Sequence, residues 1–226
     1  GNDVFVSANA ASSSLFDGQA DNDSLAFVNT SATFSAVTIS GGLSNDSINF
    51  NSGSTLLSSS VYGGSTTATS ADTQDEITLG IVKSSFVQAN GGNDTITVAG
   101  VANASAFKGG SGNDSVTFSQ TVGSSSVTGG LGSDTINLGS SASGGTSIWG
   151  GSLRDTSTDS ADSITFDAAA AGIWAQGNGG NDTIVAFTTV EQSTTIKGGK
   201  GNDYITATGA VSQSVLTGDL GNDSIY

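Results

Sequence analysis

The sequence predicts an all-β, parallel β-solenoid in which about eleven coils of roughly 20 residues stack on one another. Three observations predict this fold. A glycine-rich motif that ends in aspartate recurs along the whole chain, apolar residues keep a fixed phase with that motif, and no apolar period typical of a helix persists. We expect residues 1–226 to form a single repetitive domain, as a fragment of a longer repeat protein.

One aspartate marks the same point in every copy of the repeat, and we call these residues the phase aspartates. The clearest copy is the run Gly-Gly-Ser-Gly-Asn-Asp at 109–114, and close relatives stand at 129–134 and 198–203. Eight of the ten steps between phase aspartates span 19–23 residues, and the other two are about eight residues longer. The eleven in-phase residues are Asp3, Asp23, Asp46, Asp75, Asp94, Asp114, Asp134, Asp162, Asp182, Asp203 and Asp223.

Apolar residues follow the same phase. Two residues after each phase aspartate stands an apolar side chain such as Phe5 or Ile96, and a second apolar position commonly follows two residues later. This spacing places both side chains on one face of a strand. Another apolar ladder, which includes Phe107 and Ile196, lies two residues before the glycines. Each coil is therefore predicted as strand, loop, strand and glycine-rich turn, with neighbouring coils about 4.8 Å apart.

Composition excludes several classes of function. The formal net charge is −15, with 20 acidic and 5 basic residues, whereas nucleic-acid binding needs clustered lysine and arginine. Histidine and cysteine are absent, which removes disulfides, the usual ligands of zinc and haem, and the base that would activate a serine nucleophile. The sequence has no apolar run of about eighteen residues, so it predicts no membrane-spanning helix. We therefore expect neither an enzyme nor a nucleic-acid-binding protein.

The aspartates point to calcium as the partner. Calcium takes about six to eight oxygen ligands from carboxylates and backbone carbonyls, and glycine lets the carbonyls of a bend converge. Aspartates of two stacked coils, with the carbonyls of both turns, supply such a set; a role in turn formation alone is the simpler alternative. The turn residues predicted to join the phase aspartates are Gly109, Gly110, Ser111, Gly112, Gly129, Gly130, Leu131, Gly132, Gly198, Gly199, Lys200 and Gly201.

These turns resemble the GGxGxDxUx nonapeptide of the repeats-in-toxin (RTX, hemolysin-type) calcium-binding family, in which U is a large apolar residue. The resemblance covers the whole chain and implies a parallel β-roll that holds Ca²⁺ between adjacent coils, secretion, and folding triggered by extracellular calcium. Coils of that family usually carry the nonapeptide on both turns, whereas here it appears once per coil. We therefore expect one calcium row along one edge.

Two copies of the motif contain an insertion. The runs 63–75 and 150–162 both have thirteen residues from the first glycine to the phase aspartate, where the other turns have six. Both begin Gly-Gly-Ser, and both carry an extra aspartate three residues before the phase aspartate, at Asp72 and Asp159. We expect the insertions to bulge from the calcium edge. Their carboxylates either complete a modified calcium site or belong to solvated loops or to contacts with a neighbouring molecule.

Three functional hypotheses follow. The first is a bacterial extracellular structural protein of surface-layer or cell-surface filament type, whose partners are calcium and copies of itself or other surface components. The second is the rigid extender of a large secreted adhesin, and the third is the calcium-folding tail of a secreted enzyme or toxin. All three place the chain outside the cell or on its surface. Trp149 and Trp174 are expected to be exposed or half-buried, with contact to carbohydrate as a minor alternative.

Overall fold

The computed structural model describes residues 1–65, 72–152 and 159–226. Every regular element in these ranges is a β-strand, so the described part of the chain has no helix that is able to cross a membrane. The strands form three parallel sheets. Along each coil, a strand of the first sheet begins just after the phase aspartate, a short strand of the second sheet follows, and a strand of the third sheet leads into the glycine-rich turn.

The first sheet has 11 strands in chain order. They are Val4–Ser7, Ser24–Phe27, Ser47–Phe50, Glu76–Leu79, Thr95–Val98, Ser115–Phe118, Thr135–Leu138, Ser163–Phe166, Thr183–Ala186, Tyr204–Ala207 and Ser224–Ile225. The third sheet has 10 strands, namely Leu15–Asp17, Thr38–Gly42, Ser60–Gly64, Phe86–Gly91, Ala106–Ser111, Ser126–Leu131, Ser147–Gly151, Trp174–Gly179, Thr195–Lys200 and Val215–Leu220. The solenoid that the sequence predicts, with nearly the same number of coils, is confirmed.

The second sheet was not expected, because the sequence predicts an irregular turn in its place. Its 8 strands are Thr33–Ser35, Thr55–Leu57, Ile81–Lys83, Ala102–Asn103, Val122–Gly123, Ala142–Ser143, Ala170–Ala171 and Val190–Glu191. Most have only two residues, of which commonly only one, such as Ala102 or Ala142, is buried. A single inward residue per coil gives no alternation along the chain, and the pattern becomes visible only when the coils are stacked.

The core is a set of apolar rungs that run along the solenoid. Ile96 pairs in register with Val116, which pairs with Ile136, and all three are at most 1% exposed. Where the rungs are aromatic they stack, as for Phe27 and Phe50, whose ring centroids are 4.3 Å apart. Each rung is covered chiefly by the coils before and after it, so stability is built from neighbour-to-neighbour contacts.

The corner between the second and third sheets repeats a backbone conformation that glycine favours. Ser58, Ser84, Ala104 and Ser124 have φ values of 49–50°, in the left-handed region. The next residue in each coil is a buried serine whose hydroxyl oxygen accepts a backbone N–H from the preceding coil. For example, the Ser85 N–H donates to the Ser105 hydroxyl at 3.2 Å. The serine ladder in the sequence therefore serves to join coils at this corner.

Four consecutive coils form a larger unit that occurs twice. The first coil of the unit has leucine in its glycine turn, the second contains the insertion, the third replaces the second glycine with asparagine, and the fourth has lysine immediately before the glycines. Equivalent residues are 87–89 positions apart, as in the pairs Leu43 and Leu131, Tyr62 and Trp149, Asp72 and Asp159, Asn90 and Asn178, and Lys108 and Lys197. The coil that contains Leu220 matches the first coil of the unit again.

Candidate metal centre

The phase aspartates form an unbroken side-chain ladder along the glycine edge. One carboxylate oxygen of each, Oδ1, accepts the backbone N–H of the phase aspartate in the preceding coil. Asp46 donates to Asp75 and Asp75 donates to Asp94, both at 2.8 Å. The other rungs have the same bond at 2.6–2.9 Å. The sequence prediction that these residues stand in register is confirmed by this geometry.

The second carboxylate oxygen, Oδ2, is buried and has no hydrogen-bond partner in nine of the phase aspartates, from Asp23 to Asp203. It lies over the first glycine of the turn in its own coil. The Oδ2 atom of Asp75 is 2.7 Å from the position that a Cβ on Gly63 would take, and the carbonyl oxygen of Ala89 in the next coil is 3.0 Å from the same point. A carboxylate oxygen and a main-chain carbonyl oxygen therefore face one small space, and both are acceptors.

Burial raises the pKa of most of these carboxyl groups, because the ionised form loses its hydration. Desolvation is the main cause that raises the pKa of Asp114 to about 7, that of Asp75 to about 8 and that of Asp162 to about 9. The backbone N–H of the preceding phase aspartate opposes the shift, and the neighbouring carboxylates add to it. The same cause raises the pKa of five further members of the ladder, Asp46, Asp94, Asp134, Asp182 and Asp203.

The space beside Oδ2 suits a proton or a cation that binds oxygen. Two acceptor oxygens that face each other repel, whereas a proton or a cation placed between them is attracted to both. In the described ranges, no three acidic side chains converge on one point, so side chains alone do not form a cage for an ion. Calcium accepts main-chain carbonyls as ligands, and a carbonyl of the next coil faces each of several Oδ2 atoms, as at Asp46 and Asp134. The residues present therefore fit calcium with a ligand set that is rich in carbonyls.

The turn residues named from the sequence have three different roles. The first glycine has no space for a side chain, because the phase Oδ2 occupies it at Gly109, Gly129 and Gly198. The second and fourth positions have φ between 121° and 134°, at Gly110, Gly112, Gly130, Gly132, Gly199 and Gly201. Only glycine adopts this conformation readily. The third position contributes its carbonyl to a bond between coils, since Ser111, Leu131 and Lys200 accept N–H groups at 2.8–3.0 Å.

The ladder is less enclosed at its two ends. Asp3 is exposed and Asp223 is half-buried, whereas the nine members between them are at most 3% exposed. Each terminal residue has a neighbouring coil on one side within this chain. The buried spaces between two turns therefore lie in the interior of the stack.

The extra aspartates of the insertions lie beside the phase aspartates. The carboxylate of Asp72 lies over Gly64, the second glycine of its turn, and that of Asp159 lies over Gly151. The N–H of Gly179, one coil further on, donates to Asp159 at 3.4 Å. Burial raises the pKa of Asp72 to about 6, and its negative charge also raises the pKa of Asp75. The predicted outward bulges, residues 66–71 and 153–158, lie outside the described residues.

Two turns that look imperfect in the sequence are adapted to the insertions. Asn90 and Asn178 replace the second glycine in the coil that follows each insertion, and they adopt φ values of 85° and 83°. The side-chain amide of Asn90 donates to the Ser65 carbonyl at 3.2 Å, and that of Asn178 donates to the Gly151 carbonyl at 2.9 Å. Asparagine tolerates this conformation better than most residues, and here it also binds the start of the insertion.

Sequence reasoning missed a second ladder. The residue before most phase aspartates is asparagine, and its Oδ1 accepts the backbone N–H of the equivalent residue in the next coil. Asn113 donates to Asn93 and Asn202 donates to Asn181, both at 2.7 Å. Its direction is opposite to that of the aspartate ladder. The signal was present in the recurrent Asn-Asp pair, but the sequence does not reveal which neighbour the amide contacts.

Comparison with known proteins agrees with this geometry. The family model of the RTX calcium-binding nonapeptide repeat matches the chain in four copies, at residues 32–57, 121–142, 174–186 and 191–210. Each copy contains one phase aspartate of the ladder. Comparisons with curated proteins and with solved structures gave no match. The chain is therefore a parallel β-solenoid in which four segments match the RTX calcium-binding nonapeptide repeat.

Proposed function

We propose that calcium ions lie in a single row along the glycine edge, one between each pair of adjacent turns. The observation that supports this most directly is the series of nine buried Oδ2 atoms without a hydrogen-bond partner. The ligands in each space would be the phase carboxylate and turn carbonyls of the two coils. The ion supplies positive charge that neutralises the ladder, and so it links each coil to the next.

The two insertions would provide a second kind of site on the same row. Asp72 and Asp159 each bring an additional carboxylate to a turn that already contains a phase aspartate. Sites with more negative ligands bind calcium more tightly. We therefore expect the spaces around Asp75 and Asp162 to fill before the others as calcium is added.

This dependence on calcium suits an extracellular protein. Extracellular calcium modules bind the ion with dissociation constants of about 10⁻⁴–10⁻³ M, so such a chain stays unfolded inside the cell and folds after export. We propose a structural protein of surface-layer or cell-surface filament type, without catalytic activity. The charge of −15 and the long stack of polar outer faces support a rigid, soluble rod. The extender of an adhesin and the tail of a secreted enzyme or toxin are the alternatives.

Circular dichroism with and without calcium tests the proposal. The calcium-loaded chain is expected to show β-structure at neutral pH, and removal of the ion with a chelator is expected to abolish most of it. A chain that keeps its full spectrum after exhaustive chelation would show that the ladder does not need the ion. Electron microscopy of the loaded chain then separates the alternatives, since sheets or filaments favour the structural protein and isolated rods favour the extender.

A further inference from the structure

The outer face of the third sheet differs from the rest of the surface. Its strands from Ser60–Gly64 to Thr195–Lys200 present four aromatic side chains and two lysines, Lys108 and Lys197, at outward positions, and a third lysine, Lys200, is exposed at the end of the last of these strands. No outward residue in these described strands is acidic, in a chain whose formal net charge is −15. The face therefore combines aromatic and basic side chains with no acidic side chain among them.

The aromatic and basic side chains form two equivalent clusters. We call Tyr62, Phe86 and Lys108 the Phe86 cluster. The Tyr62 and Phe86 rings are 5.8 Å apart on adjacent coils, and the Lys108 Nζ atom lies 5.4 Å from the centre of the Phe86 ring. The aromatic ring and the ammonium group thus stand side by side along the solenoid axis.

The second cluster, Trp149, Trp174 and Lys197, is here called the Trp174 cluster. In the strand pairing, Phe86 lies opposite Ser60 and Trp174 lies opposite Ser147. The other aromatic residue of each cluster, Tyr62 or Trp149, stands two residues after that serine, so the two clusters have the same arrangement. The Lys197 Nζ atom also lies 5.4 Å from its ring centre, that of Trp174. One cluster belongs to each four-coil unit, and the two are therefore about 19 Å apart at about 4.8 Å per coil.

A hydroxyl-lined trough of about 650 Å³ joins the two clusters. Its two aromatic lining residues are Phe86, one coil in from its first end, and Trp149, in the coil at its other end, and Ser84, Ser126 and Ser147 are among the serines that line it. Small side chains keep the trough open, and their hydroxyl groups both donate and accept hydrogen bonds. Aromatic walls with a polar floor suit a ligand that has apolar ring faces and many hydroxyl groups.

We propose that this face binds an anionic polysaccharide that lies along the solenoid axis and contacts both clusters. Sugar rings offer C–H faces to the aromatic side chains and hydroxyl groups to the serines. Acidic groups on the sugar pair with the ammonium groups of Lys108 and Lys197. The two lysines are not equivalent, because Lys197 already pairs with Asp219 at 3.2 Å. Gly130 occupies the position of Asp219 in the preceding four-coil unit, so the Phe86 cluster is the stronger anion-binding half.

The two tryptophans of the chain both lie on this face, so their fluorescence reports directly on its occupancy. The calcium-loaded chain is titrated with oligosaccharides of hyaluronan, polygalacturonate and heparin, with neutral dextran for comparison, at constant free calcium. At least one acidic oligosaccharide is expected to shift the emission saturably, and dextran is expected to have no effect. Failure of all three acidic probes, or an equal response to dextran, overturns the proposal.

Variants locate the binding to the face. Tyr62→Ala with Phe86→Ala leaves both tryptophans in place and is expected to weaken binding about tenfold or more, as loss of aromatic anchors commonly does. Asp219→Gly is expected to strengthen it. Thr97→Ala with Thr165→Ala, on the outer face of the first sheet, is the matched control and should bind as the unaltered chain does. Circular dichroism confirms that each variant is folded in calcium.

Two outcomes contradict the proposal even if a probe binds. Equal affinity of the unaltered chain and the Tyr62→Ala, Phe86→Ala variant places the ligand elsewhere. An emission shift that appears when the protein alone is concentrated shows that the face is a contact between copies of this chain. Because every measurement is made on the calcium-loaded fold, a failure here is distinct from a failure of the calcium row.

Discussion

At the scale of single residues, the corner before the third sheet stores backbone strain. Ala104 has a φ of 50° and is exposed, so no packing of its side chain offsets the conformation. For residues other than glycine the left-handed region costs about 1–2 kcal/mol. Gly145 and Gly172 stand at the same corner in later coils, with φ values of 76° and 63°. Glycine is therefore compatible with this position.

Replacing Ala104 with glycine is expected to stabilise the calcium-loaded chain by about 0.5–1 kcal/mol, because the relief of strain exceeds the added chain entropy of glycine. The bond from its N–H to the Gly123 carbonyl at 3.1 Å needs no side chain and is retained. Urea unfolding followed by circular dichroism measures the change. The control is Ala106→Gly in the adjoining strand, which should lose about 0.5–1 kcal/mol. Equal effects at both positions would show that the corner is not strained.

Residues also explain where the sequence was misleading. Asn90 and Asn178 weaken the match to the glycine-rich motif, yet each supports an insertion in the coil before it. The sequence shows the departure from the repeat, but it does not show that the insertion lies next to it in space. The phase aspartates were predicted without this difficulty, because each is identified by its own turn motif and by the apolar residue two positions after it.

At the scale of elements, each rung of the aspartate ladder combines one satisfied and one unsatisfied oxygen. Oδ1 of Asp114 accepts the Asp94 N–H at 2.8 Å. Its buried Oδ2 has no donor and shares a space with the Gly129 carbonyl. An asparagine at 114 keeps the first interaction and places an amide donor beside the carbonyl, while it removes the negative charge. The change therefore separates hydrogen bonding from charge within a single rung.

The Asp114→Asn variant is expected to have opposite effects with and without calcium. Without the ion at pH 8 it should be more stable than the unaltered chain, by about 1–3 kcal/mol, since an unpaired buried acceptor costs that much. With saturating calcium it should be less stable, since one ion loses its charged ligand. Urea unfolding measures the difference with calcium. The difference without calcium is measured from the concentration of trimethylamine N-oxide that folds each chain, because the calcium-free chain is expected to have little β-structure of its own at this pH. Asp167→Asn, at an exposed aspartate, should change neither, and a shift of the same sign in both conditions for Asp114→Asn would refute the calcium role of this rung.

The elements themselves were predictable to different degrees. The first and third sheets follow from apolar residues at a spacing of two, and both were predicted. The second sheet was not, because strands such as Ala102–Asn103 bury one small residue and have no alternation of their own. These strands exist because stacked coils supply hydrogen-bond partners on both sides, which is a property of the stack and not of any local segment.

At the scale of the whole molecule, the four-coil unit links the glycine edge to the outer face of the third sheet. An insertion, its supporting asparagine, an aromatic pair and a lysine recur together, 87–89 residues apart. A search for single coils overlooks this longer period, since both periods share the same phase aspartates. The recurrence on one face, at constant spacing, is what favours a partner with a repeating chemical structure.

The row of buried carboxylates should also make the calcium-free molecule sensitive to pH in an unusual direction. Burial raises the pKa of Asp94, Asp134 and Asp182 to about 7, from an ordinary value of 3.8. The folded chain then binds more protons than the unfolded chain between these values. By linkage, the stabilisation from these bound protons is complete at pH values below the ordinary pKa of 3.8. It is lost as the pH rises through the raised pKa of about 7.

We therefore expect the calcium-free chain, which should have little β-structure at neutral pH, to gain β-structure as the pH is lowered from 8.5 to 5.5, whereas most proteins gain or keep stability as their carboxylates ionise. Calcium should remove or reverse the trend, because ionised carboxylates bind the ion better than protonated ones. The ion is best removed with a chelating resin, since soluble chelators lose affinity as they take up protons. Calcium-free β-structure that increases with pH over this interval would show that the ladder ionises without cost and that its buried oxygens have another source of stabilisation.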